Sequence, residues 1–286
     1  NRSEVYLNGH LLGKRPNGSI PFIYDMTPYL KEKNNVLAVR VDHSRIADSR
    51  WYTGSGIYRD VWMVRAGDVH FAQWGLGWKA TSITKSSAQI DLDVEVEKNE
   101  NQSANLVVKS TLYDADGKVV SKANATITNK SKGTDKLNIR LKVRNPKRWQ
   151  LHDPYLYKLE CQIIQNGKCL DKTTTRVGLR TLSFDANKVF SLNGQSMKVK
   201  GVCLHHDQGA LGAVQEYDAI YRQLSVLKCD GLNLFYVIQT CKCHFVIGQL
   251  ADDSHVALVD LEMFTEIPVG YDLLQQWECR PSVGVA

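Results

Sequence analysis

No apolar run in the 286 residues is long enough to cross a bilayer, so nothing in the sequence supports a membrane-spanning role. No run of lysine or arginine stands out either: 36 basic residues against 30 acidic ones give a net charge of +6, spread along the chain. A phosphate-binding stripe is therefore missing, and nucleic acid is not expected as a partner. The seven cysteines are odd in number and irregularly spaced, with Cys229, Cys241, Cys243 and Cys279 crowded towards the end, which argues against a disulfide scaffold. The chain opens on Asn1, with no methionine and no signal-like region, so localisation cannot be read from it.

What is present is ordinary for a globular protein: 43% hydrophobic and 23% charged residues, in a length that accommodates two domains or three small ones. Residues 1–66 read as short strands divided by turns. Val5-Tyr6-Leu7 precedes the turn pair Asn8-Gly9, Asn35 to Val41 alternates, and Ile57 to Val64 is a further strand candidate. About four strands are too few to close a sandwich. The domain is therefore expected to continue upstream.

From about Gly67 to Gly178 the alternation is cleaner. Ile90, Leu92, Val94 and Val96 face one way and Asp91, Asp93, Glu95 and Glu97 the other; Leu137, Ile139, Leu141 and Val143 repeat the pattern. Asp116-Gly117 and Asn166-Gly167 supply hairpin turns. Strands at this spacing, without helices between them, predict an immunoglobulin-like antiparallel β-sandwich. There is no Cys…Trp…Cys signature, which argues against an antibody-type domain.

The architecture changes at Phe190 to Gly212. Asn193-Gly194 is a hairpin signal, Met197 to Val202 alternates as a strand, and Leu204-His205-His206-Asp207 bunches polar groups at its C-terminal end. A glycine-rich loop follows, then an apolar stripe at helical spacing through Val214, Tyr217, Ile220, Tyr221, Leu224 and Leu227, with Gly231 placed to stop the helix. Strand, loop, helix and glycine make one β/α unit of a barrel, a fold that does its chemistry at the strand C-termini. Leu232 to Ile238 is the candidate second strand. Phe245-Val246-Ile247 and Val256 to Leu261 are strand-like without helices between them.

Several segments together resemble glycoside hydrolase family 2, in its β-galactosidase-like branch. Val5-Tyr6-Leu7-Asn8-Gly9, Pro21-Phe22…Asp25-Met26-Thr27, Asn35 to Asp42 and Ser49 to Trp62 resemble its sugar-binding domain. Trp149 and Pro154-Tyr155-Leu156-Tyr157 resemble the end of its sandwich domain. Val177-Gly178-Leu179-Arg180-Thr181 and Gly201 to Asp207 resemble the start of its barrel. The resemblance implies a mainly β chain in four parts. Residues 1–66 are the C-terminal part of a jelly-roll sugar-binding domain, and residues 67–180 are an immunoglobulin-like sandwich. Residues 181–233 are the first β/α unit of an incomplete (β/α)8 barrel, and residues 234–286 form a tail outside the family, read as a truncated or frame-shifted continuation.

The resemblance also singles out binding residues. His205, His206 and Asp207 lie where the family's barrel rim meets sugar hydroxyls; the alternative is a structural histidine and an Asp207 that caps the following turn. Asp48, in the loop Asp48-Ser49-Arg50-Trp51-Tyr52, is the second candidate, since this loop reaches towards substrate in relatives. Against it, Trp51 and Tyr52 can serve as interdomain packing with Arg50 paired to a neighbour. A zinc site using Cys203 lacks a four-ligand spacing, and Cys241-Lys242-Cys243-His244 lacks a second Cys/His pair. No cofactor is evident, and the divalent or sodium ion of the full-length family has no place assigned here.

Past Asn233 the family's motifs stop. Its second strand should end in an Arg-x-Ser/Thr-His motif, whereas Leu234 to Cys241 reads LFYVIQTC. The acid/base of the family's Asn-Glu pair and its nucleophile glutamate have no counterpart, and Glu262, Glu266 and Glu278 stand in no such context. Retaining hydrolysis needs two carboxyls about 5–5.5 Å apart. The expected function is thus that of a fragment of a retaining glycoside hydrolase for terminal β-galactosides or related β-glycosides, inactive as given. The alternative is a non-catalytic carbohydrate-binding or interaction module. Carbohydrate is the expected partner in both, and the oligomeric state is not legible.

Overall fold

The computed structural model describes residues 2–18, 20–44, 54–57, 61–186, 189–205, 208–214, 216–229, 234–239 and 242–247. Its first unit is a three-stranded antiparallel sheet in the order β2-β1-β3, with β1 at Ser3–Leu7, β2 at His10–Arg15 and β3 at Leu37–Val41. Asn8 and Gly9 join β1 to β2 at φ 52° and 87°, the left-handed pair that a two-residue hairpin requires. The Asn8 side chain then ties down the long connection to β3. Its Nδ2 donates to the Tyr29 carbonyl (2.7 Å) and to Asn35 Oδ1 (2.9 Å), while its Oδ1 accepts from the Val36 amide (3.0 Å). Val5 and Leu7 are buried in this sheet, but Leu37 is about half exposed.

The Ile57 to Val64 strand does not form among the described residues, and Tyr58 to Asp60 lie outside them. Val61, Trp62 and Met63 are each more than half exposed.

The second unit is the sandwich. Its strands are β4 (Val69–Thr81), β5 (Ser87–Lys98), β6 (Leu106–Tyr113), β7 (Val119–Ile127), β8 (Gly133–Arg144), β9 (Tyr157–Gln165) and β10 (Lys168–Val177). They form sheets β4-β5-β8 and β10-β9-β6-β7, each antiparallel, the arrangement expected of an immunoglobulin-like fold. Period-two alternation puts Ile90, Leu92, Val94 and Val96 of β5 inside, each at most 1% exposed, against Leu106, Val108, Leu159 and Ile163 of the other sheet. Full burial of such a side chain contributes about 1.5–3 kcal/mol. The outer face pairs charges across strands: Arg140 Nε donates to Asp91 Oδ1 (2.6 Å), Lys136 Nζ to Glu95 Oε1 (2.6 Å) and Asn138 to Asp93.

The two sheets meet at one edge. A bulge in β4 between Phe71 and Leu76 lets the Phe71 amide donate to Asp171 Oδ2 of β10 (2.9 Å). Gly75 is required in that bulge, because a Cβ there would lie 2.8 Å from Ala72 Cβ and 2.9 Å from the Glu95 carbonyl. Cys161 is buried with its Sγ 3.3 Å from Ser110 Oγ, and burial pushes its thiol up to about 11. This cysteine is core filling.

A small antiparallel sheet follows: β11 (Leu182–Asp185), β12 (Val189–Leu192) and β13 (Gln195–Ser196), with Asn193 and Gly194 at φ 52° and 80° in the turn. The expected Met197 to Val202 strand begins later, as β14 at Gly201–His205. Met197 instead continues the hairpin, donating from its amide to the Phe190 carbonyl (3.0 Å) and packing beside Trp149. Helix α1 spans Tyr217–Cys229 and buries Leu224. Strand β15 (Leu234–Gln239) runs parallel to β14, and β16 (Lys242–Ile247) runs antiparallel to β15. The β15-β16 hairpin is antiparallel, whereas consecutive parallel strands need a crossover connection. Val256 to Leu261 lie outside the described residues.

Candidate functional site

The candidate site is approached along β14. His205 is its last residue and stands beside Ile238 of β15 in a parallel register that runs from Gly201 opposite Leu234. His205 is thus at the C-terminal end of a parallel strand, the edge where open and closed α/β sheets hold their ligands. His206 and Asp207 lie outside the described residues. Beyond them the chain folds back on itself: the Gln208 amide donates to the Gly212 carbonyl (2.9 Å) around a 3-10 turn at Gly209–Leu211. Gly209 and Gly212 take φ of 62° and 61°, a conformation that favours glycine and gives the glycine-rich loop its purpose.

Asp48 also lies outside the described residues, but both bases of its loop are on view. His43 Nδ1 and Ser55 Oγ are 2.7 Å apart. Asp42 accepts from the Ser44 amide (2.9 Å) and faces Arg2 Nε at 3.5 Å. Hydrogen bonds from the Ser44 hydroxyl and amide, then the Arg2 guanidinium, hold the Asp42 carboxyl down to about 2. These contacts anchor the loop ends on β3 and on the chain's start.

Two features escaped sequence reasoning. Tyr157 opens β9, and its hydroxyl accepts from the Lys147 amide (2.7 Å), pinning the connection that leads out of β8; this is the tyrosine corner of immunoglobulin-like sandwiches. Trp149, fully buried, forms a second small core with Phe190 and Leu192. The Pro-Tyr-Leu-Tyr run ahead of an alternating strand carried the first signal. The second had none, because Trp149 and Phe190 are far apart in sequence. Among the described residues no three His, Cys, Asp or Glu side chains come together as a metal site.

A family model for the glycosyl hydrolases of family 2 matches residues 76–180, the body of the sandwich. The β-galactosidase BoGH2A of Bacteroides ovatus is 42% identical over 232 residues, covering 81% of this chain and 27% of that protein. The chain belongs to glycoside hydrolase family 2. A putative β-glucuronidase of Formosa agariphila is 35% identical over 231 residues, covering 81% of this chain and 22% of its own length. The crystal structure of a β-glycosidase from Bacteroides vulgatus superposes with a TM-score of 0.76 at 39% identity, covering 82% of this chain and 29% of that one. This family 2 chain thus spans roughly a quarter of the length of these relatives.

Proposed function

We propose that this chain carries the sugar-facing β-domains and the first β/α unit of a retaining glycoside hydrolase acting on terminal β-galactosides or related β-glycosides. In this reading residues 1–66 belong to a jelly-roll domain, residues 67–180 are the sandwich, and residues 181–233 begin the barrel. The carrying observation is the parallel β14-α1-β15 unit that follows the sandwich and ends β14 at His205. Similarity to a relative named β-galactosidase supports the galactoside; a β-glucuronide is the natural comparison, because another relative is a putative β-glucuronidase. His205, His206 and Asp207 are assigned to sugar hydroxyls at the barrel rim, to which imidazole nitrogens and a carboxylate offer donors and acceptors. Asp48 is assigned to the same sugar from the side of the first unit.

Saturation-transfer NMR of the 286-residue chain, with methyl β-galactoside and methyl β-glucuronide side by side, tests the assignment. Transfer to the galactoside that Asp207→Asn and Asp48→Asn weaken is expected. Transfer to neither sugar, or transfer indifferent to both substitutions, overturns it.

A further inference from the structure

The two hairpins that flank residue 180 are joined by one side chain. Trp149 precedes β9, residues 178–181 follow β10, and Asn193 sits in the β12-β13 turn, so three separate segments converge. Asn193 Nδ2 donates to the Trp149 carbonyl (2.9 Å) and its Oδ1 accepts from the Thr181 amide (3.1 Å). The Asn193 amide donates to the Thr181 carbonyl (2.8 Å), and the Trp149 amide donates to that of Leu179 (2.9 Å). These bonds surround the apolar cluster of Trp149, Phe190 and Leu192, which takes Leu156 from the sandwich side and Met197 from the hairpin side. The Arg180 guanidinium lies 4.8 Å from the Trp149 ring centroid.

Turn chemistry alone does not explain the asparagine. A left-handed position ahead of glycine accepts Asn, Asp or Gly. Of these only asparagine carries a donor and an acceptor on one short side chain, and both are used here. We propose that Asn193 is a positioning residue: a latch that locks the end of the sandwich to the β11-β13 sheet, so that the two open together rather than as separately moving bodies. β14 starts four residues after Met197, so the latch also sets the path of the chain into the strand that ends at His205.

Trypsin digestion of the native chain, read by mass spectrometry, tests the latch. The bond after Arg180 lies inside it, and the bond after Lys118, in the exposed β6-β7 turn, is an internal reference. In the unsubstituted protein, cleavage after Lys118 is expected to precede cleavage after Arg180. Asn193→Gly keeps the turn but removes both side-chain bonds. Cleavage after Arg180 should then accelerate on the order of ten-fold, because local opening sets the rate, while the Lys118 site is unchanged. Asn193→Asp keeps the turn and the acceptor but loses the donor, and should accelerate the same cut. If glycine also speeds the Lys118 site, the fold has been weakened globally and the aspartate variant decides. Wild-type rates after Arg180 in the deciding variant, or an Arg180 bond cut as fast as Lys118 in the parent, overturn the latch.

Discussion

Lys98 Nζ stands 2.5 Å from Asp135 Oδ2 and 2.6 Å from the Asn129 carbonyl, with none of its side chain exposed. The alternation that buries Ile90 to Val96 continues by one step and turns Lys98 to the core face at the end of β5. Its ammonium reaches the rim of the sandwich, where Asp135 of β8 and the Asn129 carbonyl of the β7-β8 connection receive it.

Removing the acid leaves that ammonium without its counter-charge. Asp135→Asn is expected to lower the unfolding free energy by about 2–3 kcal/mol, at or below the ~3–5 kcal/mol of a broken buried pair, since the Asn129 carbonyl remains. Lys98→Met replaces charge with apolar volume and should cost much less. Urea midpoints of the two variants check this; equal losses would mean that packing of the lysine stem, rather than the ion pair, holds the corner.

The tyrosine corner makes a second prediction. Tyr157→Phe leaves the Lys147 amide without its acceptor in a half-buried position, and a loss of about 1–2 kcal/mol is expected. Tyr155 is a built-in comparison: its hydroxyl accepts from the exposed Ala115 amide (3.0 Å), which water can satisfy, so Tyr155→Phe should cost less through that bond. Chemical denaturation of the two single variants gives the order directly.

On the first unit, Glu4 collects Lys14 Nζ (2.7 Å), the Tyr6 hydroxyl (2.6 Å) and Arg40 Nη1 (3.3 Å). The Lys14 and Tyr6 hydrogen bonds, with help from Arg40, lower its carboxyl from 4.5 to about 2. A depressed folded value means that the ionised form favours the fold: the contribution is complete above 4.5 and disappears as the pH falls through about 2. Glu4→Gln should flatten the pH dependence of this unit's stability across that window, as followed by amide exchange in β1. An unchanged slope in the variant would assign the acid sensitivity elsewhere, Asp42 being the first alternative.

The sandwich was legible because its signal is local and repeated. Ile90 to Val96 and Leu137 to Val143 each show their burial within a few residues, and Asn8-Gly9, Asn166-Gly167 and Asn193-Gly194 each encode a left-handed turn in two letters. What stayed hidden was non-local. That Ile57 and residues 61–64 stand outside any ladder is not set by their own alternation. The late start of β14 depends on Met197 being drawn into the Trp149 cluster. Lys98 is charged, yet it has the core parity of β5, and only its partners across the sandwich rim account for its burial. Of the candidate site, the strand that ends at His205 was readable from its polar tip. His206, Asp207 and Asp48 rest on resemblance, since hydroxyl-binding side chains follow no periodicity.

The last prediction concerns turnover. Retaining hydrolysis needs one carboxylate to attack the anomeric carbon and a second carboxyl, about 5–5.5 Å away, to protonate the leaving oxygen. In the proposed reading His205, His206, Asp207 and Asp48 orient a sugar through its hydroxyls, and none of them stands in the sequence context of the family's nucleophile or acid/base. No Asn-Glu pair follows Arg180 in the sequence. The 286-residue chain is therefore expected to release no 4-nitrophenol from 4-nitrophenyl β-galactoside above the uncatalysed background, which is very slow because the oxocarbenium-like transition state finds no stabilising charge. The informative comparison is a chimera that joins residues 1–233 to the barrel of the Bacteroides vulgatus β-glycosidase. Turnover by the chimera but not by the short chain would show that these domains support a barrel that brings its own carboxylates. Turnover by the short chain that Glu266→Gln abolishes would place the chemistry after residue 233 and refute the assignment.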